Sequence, residues 1–576
     1  MPSARAASLH LLVHDLVESG PVPTCLDPEG CYPYPSFCET ARRPRRREVR
    51  CVVLENEHLR AVVCPELGGR LMSLVDLASG RESLFSDPVV RPVRILPRQA
   101  FISGGIEVSF PIAHTPTQIE AVSHAVAETG GRVYVTCGER ELRFGMQWSL
   151  EFSLGGDDRF LTQRMRVRNP GTRSHPWTSW SNAAVPAHPG TEFHFPGGPV
   201  LEHSDAIREI AAWENAGPRR QSDVGRMTGW FWKAPDVNAF GVFTPARGCG
   251  LYHIADRDEV RGIKLWSYGC GPDEVWARDS GISGVPYLEI QAGPVPDQSI
   301  KHELTPGAQR CWTEYWIPSP VPLDIRSLAL PRPALRPPDA METFGWTPGP
   351  ATAYWLALEA AAAARRPALP CPVCRPRAAA AGPLPAWRGW APPWPGRSGA
   401  AGNPHYRFQQ AAWLAGSGRP GEAVALLHGS ADDEGRMLCG VLMRRLGDSP
   451  AAAECLRGLS DPSFVLHPQI VVERDLALAA LGDGTLAERA AWLDRVAGLD
   501  DEGLVERRAA LAHDQGRDEE ALALFSATSF QRVHQRYVRS ELWKSIQRRL
   551  GADAPPPASL GEDVLARWGA YREFDG

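Results

Sequence analysis

Gln147-Trp148-Ser149-Leu150-Glu151-Phe152-Ser153-Leu154 is the stretch that sets the fold class. Trp148, Leu150, Phe152 and Leu154 alternate with Gln147, Ser149, Glu151 and Ser153, and a period of two is the signature of a strand. Arg164-Met165-Arg166-Val167-Arg168 repeats the pattern, so both predict half-buried strands with one polar face. Working outward, residues 51–54 and 59–63 flank Glu55-Asn56-Glu57 as a hairpin. Further strands are predicted at 239–243, 250–254, 264–268, 287–291 and 311–317. Many short strands with turn residues between them, from about residue 51 to 318, predict a large antiparallel β-sandwich.

The pattern changes after Pro318. Residues 319–404 are rich in proline, alanine and glycine, with a predicted helix at 352–364 and a linker or irregular surface layer beyond it. From residue 405 the chain is helical and repetitive. Gly418-Arg419, Gly447-Asp448, Gly482-Asp483 and Gly516-Arg517 each separate two helical runs at spacings of 29, 35 and 34 residues. Those spacings lie at or near the tetratricopeptide period, and such repeats bind peptides or other domains. The division is therefore an N-terminal extension (1–48), a β-domain (49–318), a linker region (319–404) and tetratricopeptide-like helices (405–576).

At 576 residues the chain has room for two to four domains, and 43% hydrophobic with 22% charged residues is a globular composition. A net charge of -5 offers no basic field for nucleic acid, and the run Arg42-Arg43-Pro44-Arg45-Arg46-Arg47 is read as a solvated loop. No apolar run reaches membrane-spanning length, and residues 1–17 lack a signal-peptide pattern. With 13 scattered cysteines the chain reads as cytoplasmic with reduced thiols. Cys371-Pro372-Val373-Cys374 is a single CxxC without a second pair, and His114, His188 and His194 have no ligand spacing, so neither metal nor cofactor is expected.

One carboxylate has an unusual setting. Ile102-Ser103-Gly104-Gly105-Ile106-Glu107-Val108-Ser109-Phe110-Pro111-Ile112-Ala113-His114-Thr115 places Glu107 among apolar residues and glycines, seven residues before His114. Lost solvation raises a carboxylate's pKa and suits it to acid–base work, whereas an arginine partner would make it a structural brace. Glu289 lies between Leu288 and Ile290 in a predicted strand, so it points to the opposite face from them. Pro65-Glu66-Leu67-Gly68-Gly69-Arg70 presents an arginine from a glycine turn, and residues 177–186 combine Trp177, Trp180 and Asn182. Lys264, Trp266 and Asp279 add a cation, an indole and a carboxylate. Indole faces with amide, cationic and carboxylate groups are what a carbohydrate cleft uses. No phosphate-binding glycine loop, HExxH pair or GxSxG elbow is present.

Several of these motifs together resemble a known family. Glu55-Asn56-Glu57, Pro65-Glu66-Leu67-Gly68-Gly69-Arg70, Gly104-Gly105-Ile106-Glu107, Asn182-Ala183-Ala184-Val185-Pro186 and Tyr287-Leu288-Glu289-Ile290-Gln291-Ala292-Gly293 are similar to a largely uncharacterised bacterial family. Its members pair a galactose-mutarotase-like domain with C-terminal tetratricopeptide repeats. The resemblance implies a β-supersandwich with a sugar cleft on its concave face. It aligns Arg70 and Glu289 with the arginine and glutamate base of aldose 1-epimerases, and sets His114 near their first histidine. Their second histidine follows an asparagine directly, whereas here Asn182 is followed by Ala183.

Three functions follow as expectations. The first is glycosidic-bond cleavage, with Glu107 as general acid, Glu289 as base or nucleophile, Arg70, Asn182, Lys264 and Asp279 gripping hydroxyls, and Trp180 and Trp266 stacking on rings. The second is an aldose 1-epimerase-type isomerase using Glu289 and His114. The third is a non-catalytic sugar sensor that reports to a protein partner through the repeats. Stacked repeats and an exposed sandwich face are compatible with a homodimer.

Overall fold

The structure is a computed structural model, and it describes residues 1–18, 20–23, 37–41, 43–87, 89–92, 101–111, 114, 117–141, 144–204, 206–270, 285–297, 300–341, 404–416, 418–530 and 538–560. Asp279, the 352–364 helix and the CxxC therefore lie outside the described residues. No helix among the described residues is long and apolar enough to cross a membrane.

Two β-sheets dominate the N-terminal part. In the larger, 13-stranded sheet, a continuous run of neighbours is Val200–His203, Thr228–Trp232, Gly262–Ser267, Tyr287–Gly293, Ser181–Pro186, Ile106–Val108, Arg70–Asp76, Leu59–Cys64, Arg45–Glu55 and Ser3–Val13. Every pairing in that run is antiparallel. The predicted 51–63 hairpin is present as Arg45–Glu55 against Leu59–Cys64. Ser3–Val13 pairs with Arg45–Glu55 along its whole length, so residues 1–48 contribute a strand to the sandwich. The facing sheet of eight strands carries Gln147–Gly155 and Leu161–Arg168 next to Gln309–Ser319.

The alternation that predicted the strands also builds the core. Trp148, Leu150, Phe152 and Leu154 from one sheet meet Leu71, Ile106, Ala183, Leu265 and Ile290 from the other, all buried in one cluster. Glu314 ties the two sheets together within that core. It accepts hydrogen bonds from Ser181 Oγ (2.9 Å), Gln163 Nε2 (3.1 Å) and Trp312 Nε1 (3.1 Å), and it contacts His253 Nε2 at 3.0 Å. A buried carboxylate satisfied on this scale avoids the penalty of an unpaired charge.

The outer face of the smaller sheet departs from expectation. Glu151 was predicted on a solvated face, yet it is fully buried. Residues after Ser319 run back across that face. Arg336 donates from Nε to Glu151 (2.6 Å), its guanidinium lies 4.8 Å from the Tyr134 ring centre, and Arg166 reaches Asp339. The first part of the proline-rich region is thus a covering strap.

The C-terminal part is a stack of helical hairpins. Pro404–Gly416 pairs with Pro420–Leu427, Asp433–Arg445 with Ser449–Arg457, Pro468–Ala479 with Leu486–Arg495, and Glu502–Asp514 with Asp518–Ser526. Gly418, Gly447, Gly482 and Gly516 fall between the paired helices with φ of 76°, 90°, 86° and 78°, a conformation that favours glycine after a helix. The N-terminal extension also touches this stack directly. Val22 is buried in the helical core and its N–H donates to Gln469 Oε1 at 3.0 Å.

Ile290 is fully buried between the sheets. Ile290→Ala is expected to lower stability by about 2–5 kcal/mol in denaturant unfolding, while Val126→Ala on an exposed strand position changes it by less than about 0.5 kcal/mol.

Candidate functional site

Strand register gathers the site. Glu107 pairs with Asn182, Asn182 with Gln291, Gln291 with Lys264, and Lys264 with Phe231. These five side chains form one lateral row across five adjacent strands, on the face opposite Ile106, Ala183 and Ile290. Two residues along, a second row holds Ala184, Glu289, Trp266 and Gly229. Gly229 is required there. A Cβ at that position would stand 2.4 Å from the Trp266 ring, so glycine makes the space in which the indole lies.

Arg70 joins from the Arg70–Asp76 strand, after the turn at Gly68 and Gly69. Its Nη1 donates to Gly104 O (2.6 Å), and its Nη2 donates to Gln118 Oε1 (3.0 Å) and reaches Glu107 Oε2 (3.4 Å). Gly105 lets the two strands approach, because a Cβ there would sit 2.3 Å from Leu71 O. His114 Nδ1 lies 3.1 Å and 3.2 Å from the two Glu107 carboxylate oxygens. Phe101 meets the imidazole edge-on at 5.2 Å. Glu107 therefore holds the ring by Nδ1 and leaves Nε2 for a ligand.

Glu289 forms the other pole. It accepts from Tyr268 Oη at 3.1 Å and from Gln291 Nε2 at 2.8 Å. Burial pushes its carboxyl above the ordinary range, and the nearby charge of Glu107 adds to this, while Lys264, His114 and the Tyr268 hydrogen bond oppose it. Lys264 sits with Nζ 4.8 Å from the Phe231 ring centre and 4.7 Å from that of Trp266. Burial pushes its ammonium down to about 7, against the pull of Glu289 and Asp297. Tyr287 stacks on Phe85 at 4.7 Å and places its hydroxyl 3.4 Å from that of Tyr268.

Among the described residues, three polar atoms in this cluster are buried without a hydrogen-bond partner: Arg70 Nε, Asn182 Oδ1 and Gln291 Oε1. Because the Gln291 amide donates to Glu289, its oxygen is the atom left over. One donor and two acceptors on a single face match the mixed donor–acceptor character of hydroxyl groups.

The structure thus brings Arg70, Glu107, His114, Asn182, Lys264, Trp266 and Glu289 onto one face of one sheet. Trp180 does not join them as a stacking surface. It is fully buried, edge-on to Phe231 at 6.0 Å, and packed where Cβ atoms on Gly262 or Gly293 would collide with it. Glu107, expected as the proton donor, has the Arg70 guanidinium 3.4 Å and the His114 imidazole 3.1 Å from its carboxylate oxygens. Tyr268, Tyr287, Gln291 and Gln118 were not singled out from sequence. The first three share the two-residue period of Lys264–Trp266 and of Glu289, which is the signal that reveals them.

These shifts set a pH signature for stability. Glu289, with its folded pKa raised, binds more proton folded than unfolded, so it makes stability fall as pH rises above the usual carboxylate range. Lys264, with its folded pKa lowered to about 7, binds less proton folded than unfolded, so it makes stability rise again above that pH. The double variant Glu289→Gln/Lys264→Met is expected to flatten both slopes in unfolding curves measured from pH 4 to pH 10. Unchanged slopes would show that these groups titrate alike in the folded and unfolded chain.

A family model described as a domain of unknown function (DUF5107) matches residues 26–319, and a second, described as a C-terminal domain, matches residues 395–546. The crystal structure of a TPR-domain containing protein from Parabacteroides distasonis is 42% identical, covers 98% of both chains and superposes with a TM-score of 0.80. A galactose mutarotase-like protein from Clostridium acetobutylicum aligns over 47% of this chain and 95% of its own, at 12% identity and a TM-score of 0.36. One from Lactobacillus casei aligns over 46% and 99%, at 13% identity and a TM-score of 0.34.

Proposed function

The chain belongs to the DUF5107 family, and on that premise we propose that its β-domain is a carbohydrate enzyme that opens and closes a sugar ring, an aldose 1-epimerase-type isomerase. The observation that carries this reading is the pairing of His114, held by both oxygens of Glu107, with a buried Glu289 on the same sheet face. Ring opening needs one group to take the proton of the anomeric hydroxyl and another to protonate the ring oxygen as the C1–O5 bond breaks. Glu289 takes the first proton as carboxylate, and a carboxyl raised toward neutrality is the stronger base. His114 delivers the second through Nε2. Reversal after rotation about C1–C2 gives the other anomer, and neither step consumes water.

Arg70 Nε, Asn182 Oδ1 and Gln291 Oε1 receive the sugar's remaining hydroxyls, and Trp266 offers an indole surface beside them. A second reading, glycosidic cleavage, is favoured by the same charges with roles reversed from the sequence expectation. Glu289, raised, would be the acid and Glu107, ionised beside Arg70, the base.

The experiment follows anomer interconversion of a panel of free aldoses by polarimetry or NMR, alongside reducing-end release from oligosaccharides. Epimerisation that falls about 10²–10⁴-fold in both His114→Asn and Glu289→Gln supports the isomerase. Oligosaccharide cleavage with no anomer interconversion supports the second reading. Calorimetric sugar binding without either turnover would leave a sensor, whose signal would pass to a protein partner through the helical repeats.

A further inference from the structure

This chain places arginine at nearly every basic position: only four of its 62 basic residues are lysines, at 233, 264, 301 and 544. Lys233 and Lys544 pair with Glu209 and Glu541 on the surface, their side chains 46% and 49% exposed. Lys264 alone of the four is fully enclosed, 3% exposed, and it stands in the row of site side chains. An arginine there would keep its charge at any accessible pH, whereas a lysine can surrender its proton and become a nucleophile.

Its surroundings favour that. The amine is buried, which works against its ammonium form, with the Phe231 and Trp266 ring centres 4.8 Å and 4.7 Å away; the ring faces themselves attract the cation but supply no water to solvate it. Among the described residues, the charged groups facing it include Glu289 on the adjacent strand and Asp297 just beyond, while Glu107, His114 and Arg70 stand farther along the same face. We infer that Lys264 is a reactive amine of this site that condenses with the free aldehyde of an open-chain sugar. The inference rests on the proposed ring-opening chemistry for its natural aldehyde, but the amine's reactivity is testable apart from it.

The step balances without an oxidant or reductant. The Lys264 Nζ lone pair attacks C1, forming the C–N bond, while the carbonyl oxygen gains a proton to give a carbinolamine. Loss of that hydroxyl as water, with proton donation from Glu289 or His114, leaves a C=N bond. Addition of water to the C=N bond returns the sugar and the amine. Such a bond would hold a sugar in open form on the sheet face.

The test treats the full chain with glycolaldehyde and sodium cyanoborohydride, which reduces the imine to a stable amine, and maps the four lysines by peptide mass spectrometry. At neutral pH an amine with pKa about 7 is roughly half unprotonated, against about one part in a few thousand for an ordinary lysine. Lys264 is therefore expected to be labelled at least about tenfold faster than Lys233, with a rate that levels off above about pH 7 while Lys233 keeps accelerating toward pH 10. An epimerised aldose should slow this labelling by competition. Label confined to Lys233, Lys301 and Lys544 would overturn the inference, as would equal total labelling in Lys264→Met and the parent chain. Fast labelling of Lys264 without any anomer interconversion would uphold the reactive amine and defeat the ring-opening reading. Anomer interconversion with an unlabelled Lys264 would do the reverse.

Discussion

The site depends on the register of four neighbouring strands. Ile106–Val108, Ser181–Pro186, Tyr287–Gly293 and Gly262–Ser267 pair so that Glu107, Asn182, Gln291 and Lys264 fall opposite one another. A slip of one residue in any pair would turn that strand's polar side chains into the core and its apolar ones outward. The apolar set on the reverse face, with Ile106, Ala183, Ile290 and Leu265 buried against the second sheet, makes such a slip costly. Core packing thus fixes the geometry of the chemistry above it. Glu314 strengthens the lock, because it ties Ser181 of a site strand to Gln163, Trp312 and His253 of the facing sheet.

Charge is the second constraint. Arg70, Glu107, Glu289 and Lys264 are all nearly enclosed, and desolvation works against each charged form. The cluster divides unevenly. Glu107 has the Arg70 guanidinium and the His114 imidazole in contact with its carboxylate. Burial pushes Glu289 above the usual carboxylate range and Lys264 down to about 7, so each is held against its charged form. An enclosure of this kind stores the capacity for proton transfer in burial itself.

Much of this was legible in the sequence. The two-residue alternation at 147–154 and the hairpin at 51–63 foretold the sandwich, and the four spaced glycines foretold the helical hairpins. The glycine turn before Arg70 is present, and the alternation around Glu289 puts its side chain on the face opposite Leu288 and Ile290. Other features escaped because they depend on contacts between distant residues. Trp180 sits in an aromatic-rich segment, yet its burial depends on Phe231 and on the glycines at 262 and 293. Glu107 reads as a proton donor from its apolar sequence neighbours, but its carboxylate meets the guanidinium of Arg70, 37 positions away. Glu151 belonged to a polar strand face, and only Arg336, 185 positions away, covers it. Ser3–Val13 shows the same limit, since its membership of the sheet is set by pairing with Arg45–Glu55.

The central claim is that one face of the larger sheet receives a sugar between His114 and Glu289. A crystal structure of the chain with a turned-over or tightly bound monosaccharide tests it most directly. The account predicts density with hydroxyls on Arg70 Nε, Asn182 Oδ1 and Gln291 Oε1, the ring oxygen facing His114 and the anomeric hydroxyl facing Glu289. Sugar density elsewhere on the molecule, with those three atoms still unpaired, would contradict it.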